Sequence, residues 1–109
     1  MSLRIARVNK HIQRTFGEVL QKEADMPEDV LVTVSHVDTA SNLQRTVVWL
    51  YVFPSDRADA MLALLEKQLY VLQGAINHKL TLRPLPRLVL RIDHDMPHTT
   101  PIPSSFTSS

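Results

Sequence analysis

Five residues near the start of the chain, Arg4, Arg7, Lys10, His11 and Arg14, recur at steps of three and four. On a helix that spacing gathers side chains onto one arc. An arc of guanidinium, ammonium and imidazole groups can hold anions, and phosphate above all, because a guanidinium offers a planar fork of donors. The simpler reading is a solvated face, the usual place for charge on an amphipathic helix. The order of signs separates the two readings. The first 22 residues carry Arg4, Arg7, Lys10, Arg14 and Lys22 against Glu18 alone. A face tuned for helix stability mixes signs at i,i+4. An arc of one sign forgoes that gain, as a phosphate-binding face would.

A second basic stretch follows much later. From Lys67 to Arg91 the bases Lys67, Lys79, Arg83, Arg87 and Arg91 occur with no acid among them, and His78 adjoins Lys79. Between Glu23 and Asp59 the balance reverses, with Glu23, Asp25, Glu28, Asp29, Asp38, Asp56 and Asp59 against Arg45 and Arg57. The formal net charge of +1 therefore says less than its distribution. If the basic stretches meet in space, they can steer a polyanion to one face. Lys79 also suits the negative end of a helix dipole. Arg83, set between Leu82 and Pro84, can reach a phosphate or cap helix carbonyls. The candidate RNA-binding set is Arg4, Arg7, Lys10, His11, Arg14, Lys67, His78, Lys79, Arg83 and Arg87.

Other chemistry has little support. His94, Asp95 and His98 are metal-ligand types, but DHDMPH places them close together in a stretch without regular patterning, so no metal site is expected. There is no cysteine, which excludes thiolate zinc sites, disulfides and a cysteine nucleophile. Two glycines in the whole chain cannot form a glycine-rich phosphate loop. No serine sits in a nucleophile elbow. A binding protein without catalysis or cofactor is expected. With no signal-like or membrane-spanning apolar run, a cytoplasmic place is expected too.

The elements that must position these residues can be read from periodicity. Ile5, Val8, Ile12, Phe16 and Val19 form one helical stripe, so residues 3–24 are a helix, stopped before Pro27. Residues 30–37 (VLVTVSHV) are a strand, and the polar segment from Asp38 to Gln44 turns into a second strand at 45–53 (RTVVWLYVF). That second strand is apolar on both faces and belongs in the sheet interior. Trp49, Tyr51 and Phe53 alternate on one of its faces. Helices must cover one side of the sheet, so core packing is the first expectation for them. A stacking platform for bases is the alternative.

Residues 56–82 read as helix, with Leu62, Leu65, Leu69, Leu72 and Ile76 at helical spacing and a break between Gln68 and Asn77, where Gly74 weakens the helix. Residues 87–93 are a third strand, with Leu88, Leu90 and Ile92 on one face and Arg87, Val89 and Arg91 on the other. A strand, a helical crossover and a further strand imply a parallel pair. The 109 residues thus predict one α+β domain over 1–95, and a flexible tail over 96–109 rich in Pro, Ser and Thr.

This order, α-β-β-α-(kink)-α-β with a three-stranded mixed sheet, is that of the KH-like (type II) fold. The opening Arg4-Ile5-Ala6-Arg7-Val8, the step Ser41-Asn42-Leu43, and the ending with Leu82, Arg83, Pro86, Leu88 and Asp93 resemble the ribosome-binding factor A family. The resemblance covers roughly residues 4–95. It implies a non-enzymatic, cytosolic, monomeric assembly factor that binds the small ribosomal subunit and its rRNA during late maturation, with ribosomal proteins as further partners and no membrane. A protein-interaction module of α+β type without RNA binding is the rival. That family replaces the KH GxxG loop with a helix-kink-helix carrying Ala-x-Gly. Here the equivalent position reads Gln68-Leu69-Tyr70, with Gly74 four residues after the last of these, and Asn42 stands where the family has an acid.

Overall fold

The computed structural model describes residues 3–80 and 86–94. Helix α1 spans Leu3–Glu23, and strands β1 (Leu31–Thr39) and β2 (Arg45–Phe53) follow. A short 3-10 turn at Ser55–Arg57 leads into α2 (Ala58–Lys67), α3 (Leu69–Lys79) and β3 (Arg87–Ile92). The sheet order is β1-β2-β3, with β1 and β2 antiparallel and β2 and β3 parallel. The mixed sheet and the central place of β2 agree with the expectations above. The second helical stretch ends at Lys79 rather than at residue 82. Residues 81–85, which include the last two positions of that expected helix, and the expected tail at 96–109 lie outside the described residues.

The helices lie on one face of the sheet, α1 over β1 and α2 over β2 and β3, with α3 against α1. The stripe of α1 buries Ile5, Val8, Ile12, Phe16, Val19 and Leu20. Facing it are Val32 and Val37 from β1, Thr46, Val48, Leu50 and Val52 from β2, and Leu88, Leu90 and Ile92 from β3. Each such apolar side chain contributes about 1.5–3 kcal/mol by leaving water. Thr39 and Thr46 are register partners whose hydroxyls bond to each other at 2.9 Å inside this core.

Trp49, Tyr51 and Phe53 are not in the core. Thr46, Val48, Leu50 and Val52 occupy the helix-covered face of β2, so the aromatics occupy the other one. Side chains alternate across a strand, and β2 could bury only one of its two apolar faces here. The smaller set fits beneath the close-packed helices.

Two joints depart from simple periodicity. In β1 an extra residue, Ser35, makes a bulge between Val34 and His36, and the inward set shifts from Val32 and Val34 to Val37 and Thr39. This also carries β1 two residues past the expected end at Val37. Between the helices the break falls at Gln68, with φ −97° and ψ 2°, and Gly74 sits in regular helix. The kink is therefore kept without the small residues. Gln68 stabilises it with its side chain: Oε1 accepts from the Asp25 N–H at 2.8 Å, and Nε2 donates to the Asp25 carbonyl at 3.0 Å. Gln73 does the same for β3, accepting from the Leu88 N–H at 3.0 Å and donating to the Pro86 carbonyl at 3.3 Å.

Candidate nucleic-acid interface

The apolar stripe of α1 fixes where its polar residues point. With Ile5, Val8, Ile12 and Phe16 turned inward, Arg4, Arg7, Lys10, His11 and Arg14 are all exposed. Arg7, Lys10 and Arg14 follow one another at three and four residues, about one turn apart. No acid lies in the first turn of α1, where helix-dipole stability alone would place one. Arg14 borders a groove between α1 and β1, lined also by Gln13, Gly17, Val32 and Thr33.

The later bases are spread over other sites. Lys67 closes α2 beside the kink, and His78 and Lys79 close α3. His78 and Lys79 border a groove with Glu23, Val71, Gly74 and Ala75. The kink also presents Tyr70, 91% exposed, and Val71, 57% exposed. Arg87 opens β3 and is the register partner of Arg45, and both border a groove with Ala40, Asn42 and Gln44. The two basic stretches thus border three separate grooves. Arg83 lies outside the described residues.

The loop at this last groove is shaped by its own side chains. The Leu43 N–H donates to the Ala40 carbonyl at 2.8 Å, and Leu43 turns at φ 61°, in the left-handed region. The Asn42 Oδ1 accepts from the Gln44 N–H at 3.0 Å, a turn that an aspartate oxygen makes equally well. Asn42 therefore replaces the family's acid without losing the bond that the acid would make.

A cluster that sequence reasoning missed lies at the bulge. The Ser35 hydroxyl donates to Asp93 Oδ2 at 2.5 Å, and His36 Nδ1 stands 3.3 Å from that hydroxyl and 3.7 Å from the carboxylate. Asp93 is buried, and its N–H donates to the Leu50 carbonyl at 2.7 Å, extending the ladder past β3. Ser, His and Asp here do not form a catalytic relay. That relay needs the hydroxyl and the acid at opposite ring nitrogens, whereas both face Nδ1. The geometry holds the bulge and aims His36 outward. Its ring stacks on Trp49, with centroids 5.5 Å apart and planes within 12°. Arg45 and Arg91, also exposed, share this open face. His94 is exposed, and no group of potential metal ligands occurs among the described residues, while Asp95 and His98 lie outside them. No described helix is long and apolar enough to cross a membrane.

Comparison with known proteins adds a family to this geometry. The model of the family "Ribosome-binding factor A" matches residues 4–104. The ribosome-binding factor A of Akkermansia muciniphila is 30% identical over 93 residues, covering 85% of this chain and 74% of the relative. That of Brevibacillus brevis is 32% identical over 102 residues, covering 93% and 84%. The crystal structure of ribosome-binding factor A from Thermus thermophilus superposes with a TM-score of 0.72 at 22% identity, over 89% of this chain and 99% of that one. A Thermus thermophilus ribosome-binding factor A homology model, fitted into the cryo-EM map of a 30S complex, superposes with a TM-score of 0.64 at 23% identity, over 78% and 90%.

Proposed function

This chain belongs to the ribosome-binding factor A family, and from that premise we propose that it binds the small ribosomal subunit through its rRNA during late maturation. The observation that carries the reading is the exposed arc of α1. It holds Arg7, Lys10 and Arg14 in one row with no acid between them, while the opposite stripe of the same helix is buried. Phosphate contacts of this kind recognise the shape of folded RNA rather than its sequence. Lys67, His78, Lys79, Arg83 and Arg87 form the second set of contacts, from the kink to the start of β3. The action is by binding energy alone, in the cytoplasm and as a monomer, with no covalent step and no cofactor. Residues 1–95 form the binding domain, and 96–109 are a C-terminal extension of it. The same arc disfavours a module that docks only proteins, since a purely solvated face gains by mixing signs.

Co-sedimentation with purified small subunits over a range of salt tests the reading. Association should weaken steeply with salt, each phosphate contact contributing about 0.7–0.9 to the slope of log affinity against log salt. Binding that ignores salt would contradict it. Arg83→Ala should lower that slope by about one contact. Lost stability with an unchanged slope would instead make Arg83 a helix cap.

A further inference from the structure

We infer that the open face of the sheet is a second RNA-binding surface, on which Trp49 and its neighbours take up unpaired nucleotides by stacking. The helices cover one face of the sheet, and no described element covers the other. That open face carries a row formed by register partners: His36 on β1, Trp49 on β2 and Arg91 on β3. The His36 and Trp49 rings already lie parallel, and a base can extend such a stack. Further along the face stand Tyr51 and then Phe53, 59% exposed, with Leu31, 56% exposed, as the partner of Phe53. Three aromatics at alternate positions of one strand lie about 7 Å apart, each with a π-face that any base can use.

Charge selects the partner. Arg45, Arg87 and Arg91 lie on this face, while its acid among the described residues is Asp38, Asp93 being buried against Ser35. Arg45 and Arg87 are direct cross-strand partners, an arrangement of like charges that costs stability unless an anion lies between them. They border the groove with Asn42 and Gln44, at the opposite end of β2 from Phe53. A single strand laid along β2 would place phosphates at the arginine end and bases on the aromatic end. The basic arc of α1 lies on the helical side, so both surfaces can be engaged at once. The inference shares with the proposed function the class of partner and Arg87; the other residues are different.

The single tryptophan of the chain makes the test direct. Trp49 emission is followed while the full chain is titrated with eight-nucleotide oligoadenylate, oligouridylate and an RNA duplex of equal length, binding being read by anisotropy of the labelled RNA. The single strands should quench Trp49, and the duplex should not. Trp49→Ala should weaken single-strand binding by about tenfold or more, and Trp49→Phe should restore most of it. Arg91→Ala, at an exposed position, should weaken binding and reduce its salt slope, which keeps the test valid should Trp49→Ala unfold. Single strands that bind without quenching, or bind Trp49→Ala unchanged, would overturn the inference. Particle binding lost in Trp49→Ala with no oligonucleotide binding in the parent chain would also overturn it, assigning the face to a ribosomal protein. A chain with Arg7, Lys10 and Arg14 changed to Glu separates the two proposals: it should lose particles yet still be quenched by single strands.

Discussion

The two faces of β2 are built from one nine-residue strand and do opposite work. Thr46, Val48, Leu50 and Val52 are buried beneath the helices, whereas Arg45, Trp49, Tyr51 and Phe53 look away from them. The inward residues are small or aliphatic and interlock; the outward ones, apart from Val47, are larger, aromatic or charged. Packing accounts for the first face and leaves the second unexplained. Large aromatics on an uncovered sheet face point to a partner rather than to stability.

Adjacent substitutions give the sharpest contrast. Leu50→Ala should cost about 2–5 kcal/mol, through lost transfer energy and a cavity. Trp49→Ala, one residue away on the open face, should cost about 0.5–1.5 kcal/mol, the worth of its stack on His36. Chemical denaturation of both variants measures this, and equal losses would break the comparison. Thr46→Val strands the buried Thr39 hydroxyl and should cost about 1–3 kcal/mol, whereas Thr39→Val with Thr46→Val should come back near the parent. A double variant no more stable than the single one would mean that the pair does not bond as described. Gln68→Ala should cost about 1 kcal/mol, since water can reach the Asp25 groups it leaves. Its unfolding curve should remain a single transition. Smallest of all, Asn42→Asp should change stability by less than about 0.5 kcal/mol, because either side-chain oxygen can accept from Gln44. A loss beyond about 1 kcal/mol would show that the amide also matters.

Much of this was legible in the residues. The stripe Ile5, Val8, Ile12 and Phe16 fixed the inward face of α1 and with it the exposure of the basic arc, because helical period leaves no second solution. The limits of β2 were legible from Arg45 and Pro54. Its orientation was not. Both faces of RTVVWLYVF are apolar, and a one-residue change of register exchanges them. The clue lay in β3, where Arg87 and Arg91 must face outward and carry their partners Arg45 and Trp49 with them. Using it requires the register, which the sequence does not state. The bulge at Ser35 was hidden for a similar reason, since its anchor Asp93 is 58 residues away. The position of the kink was obscured because Gln68 forms it through side-chain bonds to Asp25, a contact that local propensity cannot anticipate.

The central claim is that the row on α1 holds rRNA, and reversing its charge tests it most directly. Arg7, Lys10 and Arg14 are exposed and stand apart from the buried stripe, so changing all three to Glu should leave the thermal unfolding transition within a few degrees of the parent. The same protein should no longer co-sediment with small ribosomal subunits at a salt concentration where the parent binds fully. A folded triple variant that still co-sediments like the parent would contradict the account.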